Sequence, residues 1–350
     1  MPREDPSVRV VNQTRAIHST IPMRDVSGRE QLVCILKYTI AVSPTGRATV
    51  ISDGPGPYLC DEYNGDDAAT SSIRRPSDVY VSKPGTDVIL VGHAHPLPGR
   101  VVTSVDVSLR MGPIDKKLRV FGTRVLQKGL LGKLKAGPAR ALREPVPLVY
   151  ELAWGGLDLS DPAKPVGEPR NYVGRGVACD PDTLVGQPAP QVEHADGPHD
   201  AAAGFGALHR HWMPRASFAG TYDERWQETK MPLLPDDFDA RFNVSVPHDQ
   251  WSSTPLRGDE PVEVLGATME GGWRFTLPRM SPGFASFVSD RRSDHPTHLD
   301  TILIDADLGR VELTFRAAVP LPRKYEMLEA VWMVEKQVFS SRGRDGAAPI

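Results

Sequence analysis

Leu299-Asp300-Thr301-Ile302-Leu303-Ile304-Asp305-Ala306-Asp307-Leu308-Gly309-Arg310-Val311-Glu312-Leu313-Thr314-Phe315-Arg316 reads as two strands joined by a turn. In its second half Val311, Leu313 and Phe315 alternate with Glu312, Thr314 and Arg316. A strand sends successive side chains to opposite faces, so this is the pattern of a half-buried strand with a polar side turned away from the core. Residues 305–310 supply the connecting loop of a hairpin.

The same period of two recurs at Val105, Val107 and Leu109 and in Trp273-Arg274-Phe275-Thr276-Leu277. Two fuller apolar runs, 32–36 and 88–91, predict strands buried on both faces. With 33 Pro and 31 Gly among 350 residues, turns between short elements are frequent and long helices are excluded. The expected fold is mainly β, an antiparallel β-sandwich or barrel-like sheets with long loops and few short helices. Residues 155–206, rich in Gly, Pro, Asp and Asn, predict a long ordered loop region. One helical stripe, Leu328, Val331, Trp332 and Phe339, predicts a helix over 325–339 with a frayed tail at 340–350. The domain reading is therefore an N-terminal arm at 1–14, a principal domain at 15–317 with room for two packed β subdomains, and a C-terminal helix and tail at 318–350.

A net charge of −3 argues against nucleic acid as a partner, and the best apolar run, 32–42, is too short for a membrane span. Residues 1–10 carry Arg3, Glu4, Asp5 and Arg9 with no apolar run behind them, unlike a secretory signal. Three cysteines, Cys34, Cys60 and Cys179, suit a reducing compartment and buried thiols. These features predict a cytoplasmic location.

Chemistry-bearing clusters are weak. His93 and His95, with His209 and His211, have the spacing of paired ligands, but surface or hydrogen-bonded histidines explain them better, and no metal or cofactor is assigned. Asp223, Glu224, Asp236, Asp237 and Asp239 could supply paired carboxylates, yet Pro235-Asp236-Asp237 is also how a helical turn begins. Phosphate-cradling loops and nucleophile elbows are absent, and no catalytic residue is assigned. The most unusual stretch is 116–143, with Lys116, Lys117, Arg119, Arg124, Lys128, Lys133, Lys135, Arg140 and Arg143 and no acid. It predicts a positive surface for an acidic partner, or a protected sheet edge. The assigned protein-binding residues are Lys128, Lys133, Lys135, Arg140 and Arg143, with Trp212, Tyr222 and Trp226 as aromatic anchors; core packing is the competing reading for the tryptophans.

A set of ordered motifs goes further. They are Lys83-Pro84-Gly85-Thr86-Asp87-Val88 running into Gly92-His93-Ala94, Lys117-Leu118-Arg119-Val120-Phe121-Gly122-Thr123-Arg124, and Pro147-Leu148-Val149-Tyr150-Glu151-Leu152-Ala153-Trp154-Gly155-Gly156. Gly220-Thr221-Tyr222-Asp223-Glu224-Arg225-Trp226, Pro235-Asp236-Asp237-Phe238-Asp239, Leu256-Arg257-Gly258-Asp259-Glu260 and Leu299-Asp300-Thr301 follow. In this order they resemble a bacterial family encoded beside type VI secretion effector genes and regarded as effector adaptors or chaperones. Asn171-Tyr172 stands where the family has Pro after the Asn, and Phe315-Arg316 where it tends to have Trp-Arg. Residues 127–143 and those from 318 onward lie outside the resemblance. It implies a non-catalytic protein that binds a toxin effector in the cytoplasm, stabilises it and helps load it onto VgrG/PAAR spike components. The alternative expectation is a β-sandwich carbohydrate-active hydrolase or lyase using the aspartates near 223–239.

Overall fold

A computed structural model describes residues 8–129, 132–322 and 327–335. The hairpin forms as read: His298–Asp305 and Arg310–Pro320 pair antiparallel. Gly309 supplies the positive φ of the turn, and the Asp305 carboxylate accepts the Leu308 N–H at 3.0 Å. Arg310–Pro320 pairs along its other side with Glu30–Val42, the longest strand. Around these grows a seven-stranded sheet in the order Trp251–Ser252, Thr86–Val91, His298–Asp305, Arg310–Pro320, Glu30–Val42, Ile17–Arg24, with Ala48–Ile51 also on Glu30–Val42. Thr86–Val91 and His298–Asp305 run parallel, joined by a long connection that builds a second sheet and touches the first at Trp251–Ser252 on the way.

That second sheet has five strands, in the order Val192–His194, Ile114–Phe121, Ser104–Met111, Pro261–Leu265, Gly272–Thr276. One apolar cluster joins the two, with Leu36, Tyr38, Leu313 and Phe315 from the first and Leu109, Leu118, Val264 and Phe275 from the second. Each such side chain contributes about 1.5–3 kcal/mol on burial, so this shared layer is the main stabilising term. The architecture is mainly β, and no sheet closes into a barrel. Among the described residues the one α-helix is Glu224–Thr229, capped by Asp223, whose carboxylate accepts the Trp226 N–H at 2.8 Å.

The stripe at 325–339 is not helical where it is described: Leu328–Glu335 is a strand. Arg9–Asn12 pairs with it in parallel on one side and Pro282–Val288 antiparallel on the other. Strand partners on both sides, and β-branched Val331 and Val334, outweigh an apolar spacing that also fits a helix. With Arg291–His295 these strands form a four-stranded sheet whose Phe284, Val331 and Met333 join the common core. The tail at 340–350, and residues 1–7 of the arm, lie outside the described residues.

The polar side of the opening hairpin also departs from expectation. Glu312, Thr314 and Arg316 are all buried, as are Lys37, Asp87, Asp300, Thr301 and Asp305 of neighbouring strands. Side chains of the 55–83 segment meet this second face of the sheet. Lys37 Nζ lies 2.7 Å from Asp78 and 3.5 Å from Glu312, over the Tyr58 ring at 3.6 Å from its centroid. Arg316 Nε lies 2.7 Å from Asp300, and its guanidinium stacks 3.7 Å from the Tyr80 centroid. Lys83 Nζ contacts Asp87 at 2.6 Å and Thr301 Oγ1 at 2.9 Å, and Arg75 reaches Asp305 at 3.0 Å. Burial alone would lower the pKa of Lys83, but Asp87, Tyr80 and Asp300 around it together more than reverse the effect. For Glu312 burial dominates and raises the carboxyl above its ordinary range in spite of Lys37.

Candidate protein-docking groove

Most of the motif residues sit in this framework. Lys83, Asp87, Asp300 and Thr301 are members of the buried polar layer just described. Trp154-Gly155-Gly156 is held by Asn171, which is fully buried and donates from Nδ2 to the Tyr150 and Trp154 carbonyls at 2.8 and 3.0 Å. Gly176 lies against the Trp154 ring so closely that a Cβ there would stand 2.5 Å from it. In Gly220-Thr221-Tyr222-Asp223, the Asp237 carboxylate accepts the Thr221 N–H and hydroxyl at 2.9 and 2.8 Å. These motifs build the fold, so a partner surface has to be sought elsewhere.

The basic run at 116–143 is largely neutralised by acids distant in sequence. Lys116 alternates with Ile114, Leu118 and Val120 on the core side of its strand, buried against Asp249 and Gln250 at 3.0 and 2.8 Å. Desolvation lowers its pKa despite Asp249. Lys117 and Arg119 both hold Asp106 at 2.7 Å. Arg124 pairs with Glu193 and donates to the Pro190 carbonyl at 2.6 Å, and Lys128 meets Asp182 at 2.8 Å. The single positive region read from sequence is thus corrected to four side chains. Lys133, Lys135, Arg140 and Arg143 are exposed and have no ion-pair partner among the described residues.

Two of these belong to a small hairpin, in which Leu126–Lys128 pairs antiparallel with Leu134–Ala136 and Lys133 precedes the second strand. Beside it is a groove of about 640 Å³ lined by Phe121, Leu126, Leu134, Lys135, Trp154 and Pro198, among others. Within its charged lining Glu193 holds Arg124 and also His199, at 3.0 Å, Arg124 lies 3.9 Å from the Phe121 centroid, and the exposed Asp200 lines it as well. Desolvation lowers the Arg124 pKa more than Glu193 restores it. The groove therefore offers apolar rings and aliphatic side chains with Lys135 free at its margin. Arg140 and Arg143 lie on the next segment, which hydrogen-bonds back to Thr123 and Val102.

The aromatic assignments divide. Trp212 is completely buried, edge-on to Tyr150 at 5.5 Å and 4.5 Å from His209, so it is a core residue and its assignment as an anchor is wrong. Tyr222 is exposed and packs at 4.7 Å on Trp226, whose indole N–H donates to the Leu233 carbonyl at 2.9 Å. Trp226 lines a separate small cleft, apart from the groove beside the basic hairpin. The carboxylates near 223–239 are engaged as caps and ion pairs: Asp223 and Asp237 as above, Asp239 with the Arg241 N–H at 2.8 Å and guanidinium at 2.6 Å. Cys34 is buried and its thiol is pushed up to about 12 by burial, but Cys60 is exposed, contrary to the expectation of buried thiols.

Sequence reading missed a second cleft, of about 450 Å³, where His93 Nδ1 meets Asp307 Oδ2 at 2.9 Å and Glu151 accepts the Ser72 N–H and hydroxyl at 2.7 and 2.6 Å. His93 was visible only as half of a histidine pair; Asp307, in the hairpin turn, was the unread signal. Among the described residues no group of three or more His, Cys, Asp or Glu is placed to hold a metal, and no helix is long and apolar enough to cross a membrane.

Fold and surface together define a mainly β scaffold bearing a groove with apolar lining beside Lys133 and Lys135, which have no ion-pair partner among the described residues. Residues 27–316 match the family described as an uncharacterized protein conserved in bacteria (DUF2169), and the chain belongs to that family. No curated protein and no solved structure matches it.

Proposed function

We propose that this protein is a non-catalytic adaptor that holds a type VI secretion effector in the cytoplasm of the producing cell and helps seat it on the VgrG/PAAR spike. The observation that carries the reading is the groove beside Leu126–Lys128 and Leu134–Ala136, where apolar lining adjoins the unpaired Lys133 and Lys135. Apolar surface supplies affinity, and unpaired cations at its margin select acidic partner surfaces and speed encounter. The ordered motifs support the same reading by resemblance.

The test is co-purification of the effector encoded beside this gene with wild-type protein and with K133E/K135E/R140E. All three positions are exposed, so the variant retains its thermal stability. Affinity falls on the order of tenfold or more at low salt, and the difference narrows as salt rises. Equal binding by the variant, or an effector equally soluble and secreted without this protein, rejects the reading. A hydrolytic role has one observation in its favour, the His93–Asp307 pair in the second cleft, since a carboxylate on Nδ1 orients an imidazole for proton transfer. Full biological function retained by H93A removes it.

A further inference from the structure

Lys37, Asp78 and Glu312 belong to the buried polar layer, and none of their side chains is more than 4% exposed. Lys37 comes from Glu30–Val42 and Glu312 from its antiparallel neighbour Arg310–Pro320. Lys37 stands opposite Thr314 and so lies diagonally from Glu312 on one face. Asp78 is brought over this face by the 55–83 segment and is held by Tyr58 through two backbone groups. The Asp78 N–H donates to the Tyr58 carbonyl at 2.7 Å, and the Tyr58 N–H donates to Asp78 Oδ2 at 2.8 Å. The Thr314 hydroxyl reaches Asp78 Oδ1 at 3.4 Å.

Two carboxyl groups on one buried amine set Lys37 apart. Among the described residues Lys83 has Asp87 as its one ion-pair partner, and Lys116 has Asp249, which is 43% exposed. Lys37 Nζ lies 2.7 Å from Asp78 Oδ2 and 3.5 Å from Glu312 Oε2, with the Tyr58 ring closing over it. The Tyr58 hydroxyl donates to Glu312 Oε1 at 3.0 Å. Oε2, the end turned to the amine, is buried without a hydrogen-bond partner. Burial raises the Glu312 carboxyl above its ordinary range, so it keeps its proton to higher pH than an exposed glutamate does. An amine, an acceptor carboxyl and a proton-carrying carboxyl are thus fixed together out of water.

We infer that Lys37 and Asp78 condense into an intramolecular amide, with Glu312 carrying the protons. The Lys37 ammonium first passes a proton to the Asp78 carboxylate, giving an amine and an acid, the form that a dry site favours over two ions. Nζ then attacks Cγ of Asp78, and the Tyr58 N–H on Oδ2 stabilises the charge that develops on the carboxyl oxygens. Glu312 gives its proton to the departing hydroxyl of Asp78 and takes one back from the nitrogen. The Nζ–Cγ bond forms, one Cγ–O bond breaks and one water leaves. Glu312 ends as it began, and no oxidant or further reactant is consumed. In open water such a condensation runs backwards. Groups fixed in contact gain an effective concentration on the order of 10⁵ M or more, and the product removes two charges from a site where their desolvation is costly. The bond ties Glu30–Val42 covalently to the 55–83 segment.

The inference is independent of the adaptor reading, which concerns a different part of the molecule. Intact-mass spectrometry of the purified, denatured full chain tests it, with peptide mapping alongside. Wild type is lighter than its sequence by one water, trypsin does not cut after Lys37, and the peptides carrying Lys37 and Asp78 travel as one branched species. K37M and E312Q keep the full sequence mass, and in E312Q trypsin cuts after Lys37. Lys83 and Asp87, which lack the second carboxyl, stay unlinked throughout. Wild type at its full sequence mass, or a water lost only at another place in the chain, overturns the proposal whether or not the variants fold. An E312Q chain linked as completely as wild type overturns the role given to Glu312.

Discussion

One face of the seven-stranded sheet carries Leu36, Tyr38, Leu313 and Phe315 against a second sheet; the other carries Lys37, Thr39, Glu312 and Arg316, met by side chains of the 55–83 segment. Both are closed to water, by opposite means. The apolar face tolerates imprecision, because burial is roughly proportional to area and is not directional. The ionic face does not: charges taken out of water must each find a partner, or the desolvation cost stands uncompensated. The first face gives the sheet its stability, and the second fixes how the 55–83 segment lies on it.

The largest expected effect comes from orphaning one ion. Arg316→Ala leaves Asp300 buried without its main partner and costs about 3–5 kcal/mol, read by denaturant unfolding. Replacing both with apolar residues of similar volume recovers most of that loss; if the double variant is as unstable as the single one, the pair contributes net stability and the contrast between faces weakens.

Glu312 gives a smaller, pH-dependent effect. Its folded pKa is raised above the ordinary 4.5, so the folded state binds the proton more tightly than the unfolded chain does. Stability therefore rises as pH falls from above the folded pKa toward 4.5. Glu312→Gln cannot gain this, so wild type improves relative to the variant between neutral pH and 4.5 in thermal melts at matched ionic strength. Asp106, half-buried and lowered first by its hydrogen bond from Arg119, acts in the opposite sense, contributing stability above its unfolded value that disappears in acid. A difference between wild type and Glu312→Gln that does not change with pH breaks the assignment of burial as the dominant cause.

The smallest effect belongs to the surface. Lys128 and Asp182 meet at 2.8 Å but are 51% and 65% exposed, so Lys128→Ala costs no more than about 1 kcal/mol and disappears into high salt.

How much of this was legible follows from the same contrast. Val311, Leu313 and Phe315 announced a strand with an apolar face, and the hairpin, the runs at 32–36 and 88–91 and the mainly β class all follow from period two. Glu312, Thr314 and Arg316 announced water, because a polar residue bound for an ion pair and one bound for solvent look alike until the partner, here Asp300 or Lys37, is brought to it. The basic run failed for the mirror reason. Its counter-charges lie outside the stretch, Asp106 on the preceding strand and Glu193, Asp182 and Asp249 far along the chain, so a stretch without acids was not a stretch without partners. Lys133, Lys135, Arg140 and Arg143 survive as the part of that reading that no acid among the described residues answers. Leu328–Glu335 was misread as helical because its partners, Arg9–Asn12 and Pro282–Val288, are also remote.

That last pairing has a consequence for the order in which the molecule is made. Arg9–Asn12 is synthesised well before its parallel neighbour Leu328–Glu335, so it waits until everything between them has been made. Pro282–Val288 waits too, with one side of its ladder open. The four-stranded sheet cannot close before Leu328–Glu335 is made, and a nascent chain halted short of residue 328 exposes two strand edges that this strand later covers.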